Sequence, residues 1–300
     1  MLTRRLVLAG LLSLVAAPTA FAASHKHGKS HGKEHGKAHE KAGHAKGSHG
    51  KSAHGKIHAQ AQTVSQGRLD AVIDISHMTT VNDFEAARKR SNILGVIHKA
   101  TEGGDWKDPM YVRRRAEAEA AGMLWGAYHF GTHQYPGAEQ ARLFLATAKP
   151  GPNTLMALDF EYNDQNPANT MRLHQAEEFV QTVLAATGRC PLIYTTASWA
   201  DGKPVGSPRH SLGPGGTEKA ILSHCPLWLA DYRIQPQVPR AWKAKGWHFW
   251  QYAGDTQDCG PRGRKVGAVS GIVRCDRNLF RGDATSLARF WKEAGRQVNS

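Results

Sequence analysis

The seven residues Leu155-Met156-Ala157-Leu158-Asp159-Phe160-Glu161 decide how this chain is read. An apolar run ends in two carboxylates, which is the pattern of a short buried strand with chemistry at its C-terminal end. Side chains alternate along a strand, so Asp159 and Glu161 share one side and Phe160 takes the other. Two residues of rise separate the acids by roughly 6.6 Å, close enough for each charge to oppose the other's ionisation. One member of such a pair stays protonated near neutrality and can serve as a general acid. An Asp-x-Glu pair is also found in plain acidic loops, so its neighbours have to decide the matter.

Outward from this strand, apolar runs alternate with helical patterns. Ala71–Ser76, Leu94–Ala100, Met123–Phe130, Leu155–Phe160 and Pro191–Thr196 read as strands one to five. Pro226–Tyr232, Trp247–Tyr252 and Cys275–Leu279 extend the count to eight. Helices are expected over Asn82–Asn92, Pro109–Ala121 and Pro136–Ala148. A longer one is capped by Asn169 or Thr170 and stopped by Gly188. Asp201–Gly216 is rich in Gly and Pro and reads as a surface loop. Alternating strands and helices over the first two-thirds predict a parallel sheet with right-handed crossovers. About eight strands in residues 69–295 predict an α/β fold of TIM type, a single-domain barrel that is closed or nearly so.

In such barrels chemistry gathers at the C-terminal strand ends. That rule selects Asp74, Tyr128, Asp159, Glu161, Tyr194, Trp199, Asp231, Tyr232 and Gln251, with Asp276 and Asn278 on the last strand. His129 reads as a buried hydrogen-bonding residue, and Trp228, Trp247 and Trp250 as packing. Acids interleaved with aromatics suit a carbohydrate, because aromatic faces stack on sugar rings and paired carboxylates cleave glycosidic bonds. Trp199, beside the Gly/Pro loop, is the expected stacking platform.

The basic excess lies mostly outside this region. Formal net charge is +14, yet residues 1–68 hold 11 Lys+Arg against 2 Asp+Glu, leaving a surplus of only 5 for the remainder. That modest surplus gives no reason to expect a nucleic-acid partner. Residues 1–22 read as a secretory signal, with Arg4 and Arg5 before the apolar Leu6–Ala17 and an Ala20-Phe21-Ala22 cleavage site. The apolar run is too short for a membrane span, so export to periplasm or medium without stable membrane insertion is expected. Residues 23–68 form a His/Lys/Gly-rich arm in which His-Gly-Lys recurs four times and nine of the 17 histidines fall. So little apolar surface cannot offset the entropy of ordering, so disorder is expected. The arm's chemistry suits weak binding of divalent metals through imidazole, or of anionic envelope polymers through its lysines.

Four cysteines, Cys190, Cys225, Cys259 and Cys275, lie in the part expected to be exported, where disulfides persist. Cys190-Pro191-Leu192 and Cys225-Pro226-Leu227 open strands five and six, and neighbouring parallel strands place such starts side by side. Cys190–Cys225 is the expected bridge, with Cys259–Cys275 by default. No Cys-x-x-Cys occurs, so no metal site is expected in the barrel.

Six blocks resemble glycoside hydrolase family 25, the Chalaropsis-type lysozymes. They are Val72–Ser76, Val96–Gly103, Gly126–Phe130, Ala157–Glu161, Leu227–Tyr232 and Trp250–Tyr252, in matching order and spacing. The loops at Asp201–Gly216 and Asp255–Gly271 look like insertions relative to that family. The resemblance implies an irregular, flattened (β/α) barrel and hydrolysis of the β-1,4 bond between N-acetylmuramic acid and N-acetylglucosamine in peptidoglycan glycan strands. It makes Glu161 the proton donor, with Asp159 beside it and Asp74 and Asp276 completing an acidic groove, and it requires no cofactor. Asp159 and Glu161 leave one strand on one side, which suits a retaining route assisted by the substrate's 2-acetamido group. Direct attack by Asp74 or Asp276 is the alternative. A chitinase-like motif fails, because Thr154 and Ala157 stand where its two upstream acids belong. A different class of reading keeps the fold as an inactive wall-binding or metal-binding envelope protein.

Overall fold

The computed structural model describes residues 67–254 and 266–296. The expected signal segment, the arm up to residue 66 and Cys259 therefore lie outside the described residues. Eight strands form the barrel: β1 (Arg68–Ile75), β3 (Gly95–Glu102), β5 (Leu124–Phe130), β6 (Thr154–Asp159), β7 (Leu192–Thr196), β8 (Leu227–Ala230), β9 (Phe249–Ala253) and β11 (Asp276–Arg281). Three two-residue strands, β2 (Thr80–Val81), β4 (Trp106–Lys107) and β10 (Ile272–Val273), are added to these: β4 extends β3, and β2 pairs with β10.

The sheet closes because β1 pairs with β3 on one side and with β11 on the other. From β1 through β3 to β9 the barrel neighbours run parallel. β11 alone runs against both of its neighbours. Parallel neighbours need a crossover, supplied by α1 (Phe84–Arg90), α2 (Tyr111–Ala120), α3 (Gly137–Ala148) and α4 (Leu173–Thr187), and after β7 by the short α5 (Ala197–Ala200). No helix is described between β9 and β11, consistent with an antiparallel return.

Strand alternation sorts the core into two layers. Leu155 and Ala157 of β6, Leu192 and Tyr194 of β7, Trp228 and Phe249 face the interior. Met156, Leu158, Ile193, Leu229 and Trp250 pack outward under the helices. The end of the barrel away from the acids is filled by α6 (Ala284–Glu293), which the sequence reading did not assign. Its Leu287 and Trp291 are fully buried in the inner cluster, and Trp291 Nε1 donates to the Trp125 carbonyl at 2.8 Å. Gly95 makes room for this ring, since a Cβ there would lie 2.8 Å from the Trp291 indole.

One local expectation needs correcting. The residue preceding α4 is Arg172, not Asn169 or Thr170, and a 3-10 turn over Pro167–Asn169 comes before it. The Asn169 side chain instead accepts from the His133 and Gln134 backbones. The α4 stop is as read: Gly188 sits at φ 68°, in the left-handed region where glycine carries no Cβ penalty. His129 is buried as expected, between Thr101 and Gln140, with its ring stacked on Phe179. No described helix is long and apolar enough to cross a membrane.

Candidate active site

The interior phase of the strands carries the acids to the barrel mouth. On β6, Leu155, Ala157 and Asp159 point inward in turn, and Glu161 continues that phase just beyond the strand. On β1, Asp74 stands at register with Asp276, the first residue of β11. Because β11 is reversed, its beginning lies at the mouth where the other strands end. The strand-end rule thus brings Asp276 to the right place through an orientation that the sequence did not reveal.

One amide ties these groups together. Gln251 Nε2 donates to Asp74 Oδ1 at 3.0 Å, to Asp74 Oδ2 at 3.1 Å and to Asp276 Oδ2 at 3.1 Å. Its Oε1 accepts from the hydroxyls of Tyr194 and Tyr232, both at 2.8 Å. Asn278 Nδ2 donates to Asp74 Oδ2 at 2.7 Å, and Trp228 Nε1 holds the Asn278 Oδ1 at 2.7 Å. A buried polar group must be paired, and these pairings fix which way each amide faces.

Burial governs the acids. Asp74 is pushed up to about 6 by desolvation, and the hydrogen bonds from Asn278 and Gln251 keep it from rising further. Glu161 is pushed up to about 7, chiefly by burial and then by the charges of Asp164 and Asp74. Asp159 is held well above the usual carboxylate range by burial and by Glu161, with Lys99 opposing. Its Oδ1 is buried without a hydrogen-bond partner among the described residues. Tyr128 and Tyr194 are driven upward by the same burial and by the surrounding carboxylates, so both stay protonated donors. A proton-bearing acid near neutrality beside carboxylates that can ionise is the set of groups a glycosidic cleavage uses.

A cavity of about 680 Å³ opens over the Asp74 and Asp276 part of this cluster, with Tyr128 and Tyr232 also in its wall. Met78 (83% exposed), Tyr232 (50%) and Val273 (44%) bring apolar surface to it, suited to the faces of sugar rings. Met78 and Val273 carry no chemical signal in sequence and were missed. Lys99 was missed as well. It lies on β3, pairs with Glu102 at 2.5 Å and sits over the Trp106 and Phe130 rings. A lysine inside a buried strand pattern was the signal that could have found it.

Other expected residues fall elsewhere. Trp199 is only 3% exposed and packs against Phe160 and Tyr162, so its face is not offered to the central groove. Its position in α5, folded under the Gly/Pro loop, is the physical reason. Asp231 is buried and engaged by the Arg233 guanidinium and the Gln237 backbone, which hold it below the usual carboxylate range. Cys190 and Cys225 are both buried and come together at the starts of β7 and β8, as the strand pairing requires. They do so as hydrogen-bonded thiols that push the Cys225 thiol up, with no sulfur–sulfur bond between them.

The chain matches the model of Glycosyl hydrolases family 25 over residues 73–260. It is 30% identical over 226 residues to lysozyme M1 of Streptomyces globisporus, covering 72% of this chain and 69% of that protein. The bacterial lysozyme of Streptomyces coelicolor superposes with a TM-score of 0.58 at 26% identity, over 76% of this chain and 98% of the other. A family 25 lysozyme from Aspergillus fumigatus superposes with a TM-score of 0.56 at 29% identity, over 74% and 98%. Barrel, acid cluster and sequence agree, and the chain belongs to glycosyl hydrolase family 25 and is a glycoside hydrolase.

Proposed function

We propose that this enzyme is an exported muramidase that cleaves the β-1,4 bond between N-acetylmuramic acid and N-acetylglucosamine in peptidoglycan. The observation that carries the reading is Glu161. It is pushed up to about 7 at the mouth of a closed barrel and feels the charge of Asp74. The relatives described as lysozymes support the substrate. Glu161 gives its proton to the glycosidic oxygen, and positive charge develops on the sugar ring. Asp74 and Asp276, fixed by Gln251, stabilise that charge across the groove. Asp159, with an oxygen that no described protein donor claims, orients the substrate's 2-acetamido group as internal nucleophile. The bond to the leaving sugar breaks, an oxazolinium forms, and water activated by ionised Glu161 opens it with net retention. Tyr128, Tyr194 and Tyr232 position the sugars.

Export by the N-terminal segment places the enzyme in periplasm or medium, where its basic arm would hold it near anionic envelope polymers. In that oxidising setting Cys190 and Cys225 would close a disulfide. The test incubates the full chain, and its Glu161→Gln variant, with purified peptidoglycan and follows the fragments by mass spectrometry. Fragments with reducing N-acetylmuramic acid, absent with the variant, are expected. Reducing N-acetylglucosamine would put the cut at the other linkage, and no release from any wall type would end the muramidase reading.

A further inference from the structure

Lys99 is a largely buried charge at the barrel mouth that the cleavage leaves unused. It follows Ile97 on the inward phase of β3, and Ile97 is buried in the inner cluster. The strand register then slips. Lys99 stands opposite Tyr128, but Thr101 stands opposite His129 and Glu102 opposite Phe130. The extra residue turns Thr101 outward, where its hydroxyl meets the buried His129 ring at 2.8 Å, and returns Glu102 to the inner side. Two opposite charges three residues apart therefore face inward together, and Lys99 Nζ donates to Glu102 Oε2 at 2.5 Å.

This pair lies level with Asp159. Glu102 is beside Phe130 in the register of β3 with β5, and Phe130 is beside Asp159 in that of β5 with β6. The ammonium sits 4.9 Å from the centre of the Phe130 ring, so it has climbed from the row of Tyr128 to the row of Asp159. The Lys99 side chain is 14% exposed, which leaves its charge weakly screened. Asp159 is faced by Glu161 just beyond its own strand, by Asp74 of β1, and by the hydroxyls of Tyr128 on β5 and Tyr194 on β7. Burial, Glu161, Asp74 and Glu102 all favour its protonated form; Lys99 opposes them, and more strongly than Glu102 acts. Glu161 answers instead to burial, Asp164 and Asp74. Asp159 Oδ1 has no hydrogen-bond partner among the described residues, so the cation works through its charge and leaves that oxygen to the substrate.

Neighbouring acids that repel one another do not ionise together, and a cation on one side of the pair decides which of them does. We propose that Lys99 is a positioning residue for the cleavage: held off by Glu102, it keeps Asp159 the ionised member of the pair and leaves the proton on Glu161. The proposal rests on the muramidase reading with Glu161 as donor. Without the cation, the charge passes to Glu161, and the donor is spent while the acetamide meets a protonated Asp159.

The test follows cleavage of soluble glycan strands against pH by the full-length enzyme and by Lys99→Met, Lys99→Arg and Glu102→Gln, with matched thermal melts to verify folding. The acidic limb of kcat/KM reports every carboxylate that has to be ionised, Asp159 together with Asp74. Lys99→Met should move that limb up by about one pH unit, an about tenfold loss at fixed pH, the low end of what a neighbouring opposite charge supplies. Lys99→Arg should bring it back toward wild type. Glu102→Gln should move it down, because it removes a charge that opposes ionisation of Asp159. An ion pair that merely braces the fold would give Lys99→Met and Glu102→Gln the same defect. A limb unmoved by Lys99→Met, or moved the same way by both variants, would therefore overturn the proposal. Should Lys99→Met not fold, Glu102→Gln decides alone: a lowered limb supports the proposal, and an unmoved or raised one overturns it. A wild type that leaves the strands uncut, or a Glu161→Gln variant that cuts them, would overturn the muramidase reading or its donor, and this proposal with it.

Discussion

Replacing Glu161 with Gln should abolish cleavage and, at alkaline pH, make the protein more stable. The folded protein holds this acid at about 7 against an ordinary value of 4.5, with burial first among the causes. A carboxyl raised on folding binds its proton more tightly in the native state. Below the unfolded value both states are protonated and the group is neutral in its effect. As pH rises from about 4.5 to 7 the unfolded chain ionises first, and stability falls by about 1.4 kcal/mol per pH unit. Above pH 7 the penalty levels off at about 3 kcal/mol, the free-energy equivalent of the shift. Gln keeps the shape and cannot ionise, so the variant escapes that penalty. It also relieves Asp159, whose own rise owes its second-largest part to Glu161. Urea unfolding of wild type and variant at pH 4, 6 and 8 measures the effect. The variant should match wild type at pH 4 and exceed it by about 2–3 kcal/mol at pH 8. Equal stability at pH 8 would mean that Glu161 ionises without strain, and the argument for it as a neutral-pH proton donor would fail.

The network that fixes Asp74 makes a separate prediction. Asn278→Leu removes the largest interaction keeping Asp74 down, and a hydrogen bond to a charge is worth about 1.5–3 kcal/mol, or about one to two pH units. The acidic limb of the kcat/KM profile should move up by that amount; an unmoved limb would mean that ionised Asp74 is not required. Trp291→Ala empties the closed end of the barrel and should lower stability by about 3–5 kcal/mol in urea titrations, with near-normal turnover per folded molecule. A large loss of turnover in the folded fraction would show that the two ends are coupled. Protein secreted into medium should carry a Cys190–Cys225 disulfide, detectable by peptide mapping without reductant. Closing that loop of roughly 35 residues should stabilise by about 3–4 kcal/mol, and thiols recovered unlinked would refute the oxidising-compartment reading.

The sequence carried the chemistry of the site further than its geometry, and particular residues show why. Alternation is a local property, so the run from Leu155 to Glu161 was enough to place both acids inward at a strand end. Eight strand patterns and the four longer crossover helices were equally legible, because the apolar periods are written within each segment. The direction of β11 was not, since antiparallel and parallel partners can share one strand pattern. Trp199 misled because a tryptophan beside a glycine-rich loop looks exposed, whereas the loop folds back over Tyr162 and α5 so closely that Gly206 has no room for a Cβ. α6 stayed hidden for a related reason: its task of filling the barrel end depends on Gly95, some two hundred residues earlier. Gln251 is the most instructive case. From sequence it was one more polar residue at a strand end. In the fold it donates to two carboxylates and accepts from two tyrosines, which requires its amide to face one way only. Turned over, its oxygen would confront Asp74 and its nitrogen would meet hydroxyls already raised by neighbouring acids. The carboxylates, which only accept when ionised, therefore set the amide, the amide in turn holds the acids, and Asp74 stays near 6 rather than drifting upward as its burial demands. A residue's type announces which protons it can hold; the order in which neighbours constrain one another decides which of them it does hold.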